Sequence, residues 1–174
     1  MKKTSLLVVL ILIMVANIYA EYPPEGWTAS IKEAITQAEN EDKMILLNFT
    51  GSDWCSWCFK LDEEVFGTQT FGEWSEDNLV KVFVDFPRAI ELDQETRKQN
   101  ILLQQMLGVR GYPTIWLLGS DLTPLLRTGY VDGGADNFIR HLTEDQREVP
   151  EDDAQRFRQE FRKALEEALG AIES

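Results

Sequence analysis

Both cysteines of the chain lie in one short segment, Trp54-Cys55-Ser56-Trp57-Cys58. The apolar run at residues 44–49 precedes this segment and predicts a buried strand, while the apolar spacing of residues 59–66 predicts a helix. The two sulfurs therefore lie where a strand gives way to a helix. At this spacing, a single helical turn can present them together.

The start of a helix favours a thiolate, because its first N–H groups lack partners inside the helix and carry partial positive charge. A free thiol has a pKa of about 8.5, and the pKa of a Cys-x-x-Cys cysteine at a helix start can fall to about 7 or lower. We therefore assign Cys55, nearer the helix start, as the nucleophile. Cys58 is expected to attack the mixed disulfide formed at Cys55 and release the product.

Two other roles for this pair are less consistent with the sequence. A structural disulfide more often joins distant segments, because closing so short a loop restricts the unfolded chain little. A metal site would need further ligands, and the chain has no third cysteine and only one histidine, His141. Tetrahedral zinc would have to recruit carboxylates or a second chain. Redox chemistry is the leading interpretation, and we expect no metal and no cofactor.

A second motif, Gly111-Tyr112-Pro113-Thr114, leads into an apolar run at residues 114–118 that predicts another strand. Together with the cysteine segment, this motif resembles the thioredoxin-like superfamily, and in particular its exported bacterial members. The resemblance covers about residues 27–142. It implies an α/β fold of three layers, in which helices flank a central mixed β-sheet.

The resemblance also implies roles for residues around the cysteines. Pro113 should follow a cis peptide bond in a loop opposite the pair, and the backbone of Tyr112 should pair with the substrate chain. From their own chemistry, Trp54 and Trp57 are expected to give flat apolar cover to the sulfurs and to contact the substrate, with a place in the ordinary core as the alternative for one of them.

Thioredoxins also carry a buried acid, which serves as proton acceptor for the second cysteine, on the strand before the motif. Asn48 stands in the nearest equivalent place, and an amide is not a base. The proton acceptor for Cys58 therefore stays open among water, Asp53, Asp62 and Glu63.

Three further elements follow from the periodicity of the chain. Residues 80–86 predict a second central strand that ends at Pro87. Residues 88–107 predict a crossover helix that is lengthened at its start, and residues 125–130 predict an edge strand.

The N-terminus is typical of a secretory signal peptide, because two lysines precede an uninterrupted apolar run at residues 6–15 and small residues end at Ala20. An uncleaved membrane anchor is the alternative, but residues 6–20 fall short of the roughly 20 residues that a spanning helix needs. We predict cleavage after Ala20, which would give a periplasmic or secreted protein with no stable membrane insertion afterwards.

The remaining chain is long enough for one domain, and its acidity limits the partners. The full chain carries 17 Lys and Arg against 30 Asp and Glu, and this acidity disfavours nucleic acid and anionic membranes as partners. We assign residues 21–142 to the thioredoxin-like domain and residues 143–174 to a charged linker and an extra amphipathic C-terminal helix. Its apolar stripe should pack on the parent domain or, as second choice, contact a dimer mate or partner. The stripe consists of Phe157, Phe161, Leu165, Ala168, Leu169 and Ile172.

The sequence thus predicts an enzyme, a thiol–disulfide oxidoreductase that acts on protein disulfides outside the cytoplasm through Cys55 and Cys58. Its other partner would be an unidentified electron donor or acceptor. The direction of the reaction depends on thiolate stabilisation and on the recycling partner, so it stays open. The alternatives are a non-catalytic binding module or chaperone, and a copper carrier that uses the two thiolates.

Overall fold

The computed structural model describes residues 22–170. The predicted signal peptide, residues 1–20, lies outside the described residues, as does Ile172 of the predicted C-terminal stripe. The elements in chain order are α1 Ile31–Glu41, β1 Met44–Thr50, α2 Ser56–Leu61, a π-helical segment Asp62–Phe66, α3 Gln69–Asn78, β2 Leu79–Asp85, α4 Gln94–Met106, β3 Thr114–Leu118, β4 Pro124–Thr128, α5 Gly134–Glu144 and α6 Glu151–Leu169.

Several helices begin at a residue whose side chain caps the first turn. Ser30 accepts a hydrogen bond from the Glu33 N–H at the start of α1, and Thr68 does the same for α3. Asp93 accepts from the Thr96 N–H at the start of α4. These caps satisfy N–H groups that have no partner inside the helix, which fixes where each helix begins.

The four strands form one mixed sheet in the order β2-β1-β3-β4. β1 pairs with β2 in parallel and with β3 antiparallel, and β3 pairs antiparallel with β4. Helices pack on both faces, so the predicted α/β fold with a central mixed sheet and an extra C-terminal helix is confirmed. β4 lies at one edge, as expected for residues 125–130.

The prediction that residues 80–86 form a central strand was wrong, because β2 lies at the other edge of the sheet. An apolar pattern indicates that a strand is buried, but it does not show whether the strand has a neighbour on each side. Here Thr28, and not a full strand, lies beside β2. The Thr28 N–H donates to the Lys81 carbonyl and the Phe83 N–H donates to the Thr28 carbonyl, both at 2.9 Å. This short bridge occupies part of the edge that β2 would otherwise expose.

The predicted extension of the crossover helix was also wrong, because residues 88–93 form a loop and α4 begins at Gln94. Two interactions explain the difference. The Asp53 carboxylate accepts the backbone N–H groups of Arg88 and Ala89, and Asp93 acts as the N-cap of α4. In both interactions, a carboxylate accepts backbone N–H groups that have no partner within a helix. The local periodicity of the segment shows neither interaction.

The core divides between the two faces of the sheet, with β1 contributing to both. Ile45, Leu47 and Phe49 point to the face covered by α1 and α4, while Leu46 packs with Leu61 and the aromatic side chains of α3 and α5. Because side chains alternate along a strand, Asn48 shares the face of Leu46. Asn48 therefore lies on the side of the sheet where α2 presents the second cysteine.

The C-terminal helix α6 packs its apolar stripe against the parent domain. Phe161 and Leu165 are fully buried in the cluster that includes α1 and α4, and Phe157 and Leu169 pack around them. Ion pairs border this contact, between Arg158 and Asp121 at 2.8 Å and between Arg162 and Glu39. The expectation that the stripe packs on the parent domain therefore agrees with the structure. The domain boundaries at residues 143 and 174 stay a prediction.

We expect Phe161→Ala to lower the free energy of unfolding by about 3 to 5 kcal/mol, because it removes a fully buried aromatic side chain and leaves a cavity. Urea unfolding followed by far-ultraviolet circular dichroism measures this change. Gln159→Ala, at an exposed position on the same helix, is the control and should change stability by less than about 0.5 kcal/mol. Equal stabilities for the two variants would show that α6 is not packed on the domain.

Candidate active site

The cysteine pair lies at the junction of β1 and α2, as the sequence predicts. Gly51 turns the chain after β1, and its carbonyl accepts the N–H groups of Trp54 and Cys55 at 3.2 and 2.9 Å. Cys55 is the N-cap of α2, and Cys58 lies within its first turn. The two sulfurs form a disulfide with an S–S distance of 2.09 Å, and each cysteine is 6% exposed.

Trp54 connects the cysteine loop to the rest of the site. Its indole N–H donates to the Phe86 carbonyl at 2.8 Å, and its ring meets the Tyr112 ring edge-on at a centroid distance of 5.6 Å. Phe86 and Tyr112 are themselves in contact, at 5.4 Å between centroids. Trp54 and Tyr112, both predicted as substrate-binding residues, therefore belong to one aromatic cluster.

The Tyr112–Pro113 peptide bond is cis, as the resemblance implies. The hydroxyl of Tyr112 accepts a hydrogen bond from the Gln104 side chain at 2.6 Å, which anchors the loop to helix α4. Burial raises the pKa of Tyr112, and the nearby charge of Asp85 raises it further. Tyr112 is therefore a neutral hydrogen-bonded side chain at physiological pH.

Trp57 lies apart from this cluster and is 57% exposed. Its ring is tilted against Tyr130 at 5.3 Å, and the Lys60 ammonium lies over both rings, 5.4 Å from Trp57 and 4.7 Å from Tyr130. The Tyr130 hydroxyl donates to the Glu64 carboxylate. Sequence reasoning missed Tyr130 and Lys60, because Tyr130 is distant from Trp57 in the chain and the position of Lys60 over both rings follows only from their contact.

Asp53, a candidate proton acceptor, is an anchor for the loop that follows β2. Its carboxylate accepts the Arg88 N–H at 2.9 Å and the Ala89 N–H at 2.5 Å. These backbone hydrogen bonds, the one from Ala89 first, lower the pKa of Asp53. A carboxylate stabilised in this way is a weak base, so Asp53 is poorly suited to accept a proton from Cys58.

Asp85 is the acidic residue at this site that sequence reasoning missed. It ends β2, is 1% exposed, and accepts the Ser52 N–H at 2.9 Å and the Ser52 hydroxyl at 2.5 Å. Burial raises the pKa of Asp85 and outweighs the lowering effect of the Ser52 hydrogen bonds. An aspartate directly after an apolar strand and before Phe86 and Pro87 is the signal that could have found it.

Asn48 is buried at 5% exposure, and its side-chain oxygen has no hydrogen-bond partner among the described residues. This carbonyl group faces the layer that holds α2, where the thioredoxin pattern would place a carboxylate. The one buried acid in the described part of the chain lies instead on β2, in register with Thr50 across the parallel pair. The buried acidic group near the cysteine loop thus lies on β2, and the strand that leads into the cysteines carries an amide.

No group of three or more His, Cys, Asp or Glu side chains within residues 22–170 is placed to hold a metal ion. In the same range, no helix is both long enough and apolar enough to cross a membrane.

With this geometry in place, comparison with known proteins identifies the family. The family profile Thioredox_DsbH, described as a protein of unknown function, DUF255, matches residues 18–171. The chain belongs to this family. The predicted membership of the thioredoxin-like superfamily is thereby confirmed.

Two curated relatives come from Chlamydia pneumoniae. One is named disulfide bond reductase DsbH and is 32% identical over 110 residues, which cover 63% of this chain and 66% of the relative. The other, thioredoxin-related protein DsbJ, is 25% identical over 103 residues, which cover 59% of this chain and 30% of the relative. The chain thus spans just under two thirds of the first relative and under one third of the second.

Solved structures give the same fold. A structure titled DsbH Oxidoreductase superimposes with a TM-score of 0.64 at 29% identity and covers 72% of this chain and 90% of its own. A thioredoxin from Thermus thermophilus has a TM-score of 0.50 at 17% identity, covers 66% of this chain and 82% of its own, and supports the fold alone. The predicted enzyme class, thiol–disulfide oxidoreductase, is the class for which the DsbH proteins are named.

We expect Gly51→Ala to disrupt the Trp54 position, because an added Cβ would lie 2.4 Å from the indole Cε2 atom. The ring would have to move and lose its hydrogen bond to Phe86, at a cost of about 1 to 3 kcal/mol in stability. Urea unfolding and tryptophan fluorescence measure the effect. The control is Gly72→Ala on helix α3, where the added Cβ meets nothing within 4 Å and should be neutral or stabilising by up to about 1 kcal/mol.

We expect Asp85→Asn to change how stability depends on pH. Because burial raises the folded-state pKa of Asp85 above its unfolded value, the wild-type protein loses stability as the pH rises from about 4 through the raised pKa. The amide does not titrate, so the free energy of unfolding of the variant should rise relative to that of the wild type as the pH rises across this window. Above the window, the difference between the two should stay constant. Urea unfolding at a series of pH values tests this, with Asp77→Asn at an exposed position as control. A pH-independent difference would contradict the assignment.

Proposed function

We propose that this protein is a thiol–disulfide oxidoreductase that reduces protein disulfides outside the cytoplasm. The observation that carries the proposal is the Cys55–Cys58 disulfide at the start of helix α2, tied through Trp54 to the Tyr112–Pro113 loop. The reductase direction is supported by the name of the relative disulfide bond reductase DsbH.

The first step would be attack of the Cys55 thiolate on one sulfur of a substrate disulfide. A bond forms between Cys55 and that sulfur, the substrate S–S bond breaks, and the other substrate sulfur leaves as a thiolate that takes up a proton. The Sγ atom of Cys55 accepts the Cys58 N–H at 3.2 Å, and this donor is available to stabilise the Cys55 thiolate.

The second step would be attack of the Cys58 thiolate on the Cys55 sulfur. The Cys55–Cys58 bond forms, the mixed disulfide breaks, and the second substrate thiol is released. Two electrons have then passed from the protein to the substrate, so a dithiol donor must reduce the Cys55–Cys58 disulfide before the next turnover. The aromatic cluster of Trp54, Phe86 and Tyr112 would provide an apolar surface beside the reacting sulfurs.

The location outside the cytoplasm rests on the predicted signal peptide at residues 1–20. Cell fractionation followed by N-terminal sequencing tests this assignment. A mature chain that begins at Glu21 in the exported fraction supports it, while an intact Met1 terminus in the cytoplasmic fraction excludes it.

We expect Cys55→Ser to abolish insulin reduction, since it removes the attacking sulfur. Cys58→Ala should accumulate mixed disulfides with substrate, because attack still occurs and resolution does not. Cys55→Ala is the matched control, and it should trap none. Non-reducing electrophoresis and mass spectrometry of the trapped bond measure the outcome.

Brief alkylation of the reduced wild-type protein should label Cys55 before Cys58. Trapping through Cys58 in the Cys55→Ala variant would reverse the two roles. Insulin reduction by the wild-type protein that is no faster than by Cys55→Ser would favour a binding module or chaperone over an enzyme.

A further inference from the structure

A groove of about 480 Å³ lies beside the cysteine loop. Of the aromatic cluster, only Phe86 lines it. Residues 85–92, which end β2 and form the loop after it, line one part, and helix α4 lines the other through Arg97, Asn100 and Ile101. This volume is in the range of clefts that hold a small ligand or a few side chains. The groove exists because residues 88–93 form a loop where the sequence predicts a helix.

The exposed large apolar side chains of the described residues cluster around the cysteines and this groove. Trp57 and Phe59 flank Cys58 on helix α2, and Ile90 and Ile101, at 48% and 42% exposure, line the groove. A single exposed apolar side chain needs no explanation, but grouped exposed apolar side chains mark interaction surfaces. The groove therefore has the apolar lining of a binding site.

Direct contacts join the groove to the residue before Cys55. The Trp54 indole donates to the Phe86 carbonyl at 2.8 Å, and the Arg88 guanidinium lies over the Trp54 ring, 4.1 Å from its centroid. Phe86 and Arg88 both line the groove. A chain attached to Cys55 through a disulfide thus has the groove within reach of its neighbouring residues.

The charges of the groove leave one cation without a partner. Asp85 is hydrogen-bonded to Ser52, and Glu91 pairs with Arg97 at 3.8 Å. The Arg88 guanidinium has no carboxylate within ion-pair distance among residues 22–170, since the nearby Asp53 carboxylate binds backbone N–H groups. In a chain of net charge −13, an arginine without an ion-pair partner over the partly buried Trp54 ring favours an acidic group on the ligand.

We propose that the groove binds the polypeptide segment next to the target cysteine of the substrate, with an apolar side chain between Ile90 and Ile101 and a carboxylate on Arg88. The proposal rests on the proposed function and adds a substrate class to it, namely protein disulfides flanked by an apolar and an acidic residue. A polypeptide fits because Trp54, next to Cys55, contacts the groove residues Phe86 and Arg88, and because the groove combines apolar walls with a single unpaired cation.

The test measures single-turnover rates of the pre-reduced protein with cysteine peptides that are joined by a disulfide to a fluorescent reporter thiol. Each peptide carries the dipeptide Leu-Glu at one place, two to five residues before or after its cysteine. Its control peptide has the same sequence with Ser-Gln in place of Leu-Glu. We expect the best Leu-Glu peptide to react about tenfold faster than its match, because partial burial of one leucine corresponds to about one factor of ten. The glutamate contribution should weaken with added salt.

Two variants on opposite walls of the groove assign the preference to it. Arg88→Gln and Ile101→Gln should each lower the rate ratio of the two peptides at least about threefold, in line with the loss of one exposed charge contact or part of one apolar contact. Lys163→Gln, which removes a cation from the exposed face of α6, is the control and should keep the wild-type ratio. Circular dichroism confirms that each variant is folded.

The outcomes separate this proposal from the proposed function. A ratio near one at every position, or a ratio that neither groove variant changes, overturns the groove assignment while disulfide reduction stands. A reporter disulfide without a peptide that reacts as fast as the best peptide would show that small disulfides suffice, and this also overturns it. If the reduced wild-type protein reacts no faster than Cys55→Ser with any peptide, the proposed function itself fails.

Discussion

The site depends on the way in which the end of β2 holds the loop before the cysteines. Asp85 accepts two hydrogen bonds from Ser52, and the Trp54 indole donates to the Phe86 carbonyl. A single hydrogen bond contributes only about 1 kcal/mol, but together these bonds connect two segments more than 30 residues apart in the chain. Because Gly51 has no side chain, the indole can lie against the backbone at this turn. Without these contacts, nothing in the local sequence would fix Cys55 against the Tyr112–Pro113 loop.

The same contacts determine the electrostatics behind the cysteines. Asp85 is buried with a raised pKa and lies on β2, while the strand that leads into the cysteines carries the neutral Asn48. Asp53 is held ionised by backbone N–H groups of the loop after β2. One acid thus supports the turn from inside the protein, and another fixes the loop from the surface. Asp53 accepts backbone N–H groups, and Asp85 accepts the N–H and the hydroxyl of Ser52, so both carboxyl groups have hydrogen-bond partners that hold a loop.

The loop at residues 88–93 links the anchoring of the cysteines to the surface around them. Asp53 holds its first residues, Trp54 holds the carbonyl of Phe86 just before it, and its last residue, Asp93, caps helix α4. Between these fixed ends, the loop exposes Ile90 and leaves the Arg88 guanidinium over Trp54. The contacts that position the catalytic pair therefore also shape the groove beside it.

Local sequence pattern was enough to predict part of the fold and of the site. The apolar run before Trp54, the helix that starts at the cysteines and the Tyr112–Pro113 motif were each placed correctly, because strand and helix periodicity and the motif spacing need no knowledge of distant residues. The tertiary structure alone decided the edge position of β2, the loop at residues 88–93, and the roles of Asp85, Tyr130 and Arg88. Each of these features involves a contact between residues distant in sequence. Thr28 bridges to β2, Asp53 binds the loop, and Ser52 binds Asp85. The ring of Trp57 contacts Tyr130, and that of Trp54 contacts Arg88. Hydrogen bonds and ring contacts of this kind form only after the chain has folded, so no window of the sequence contains both partners.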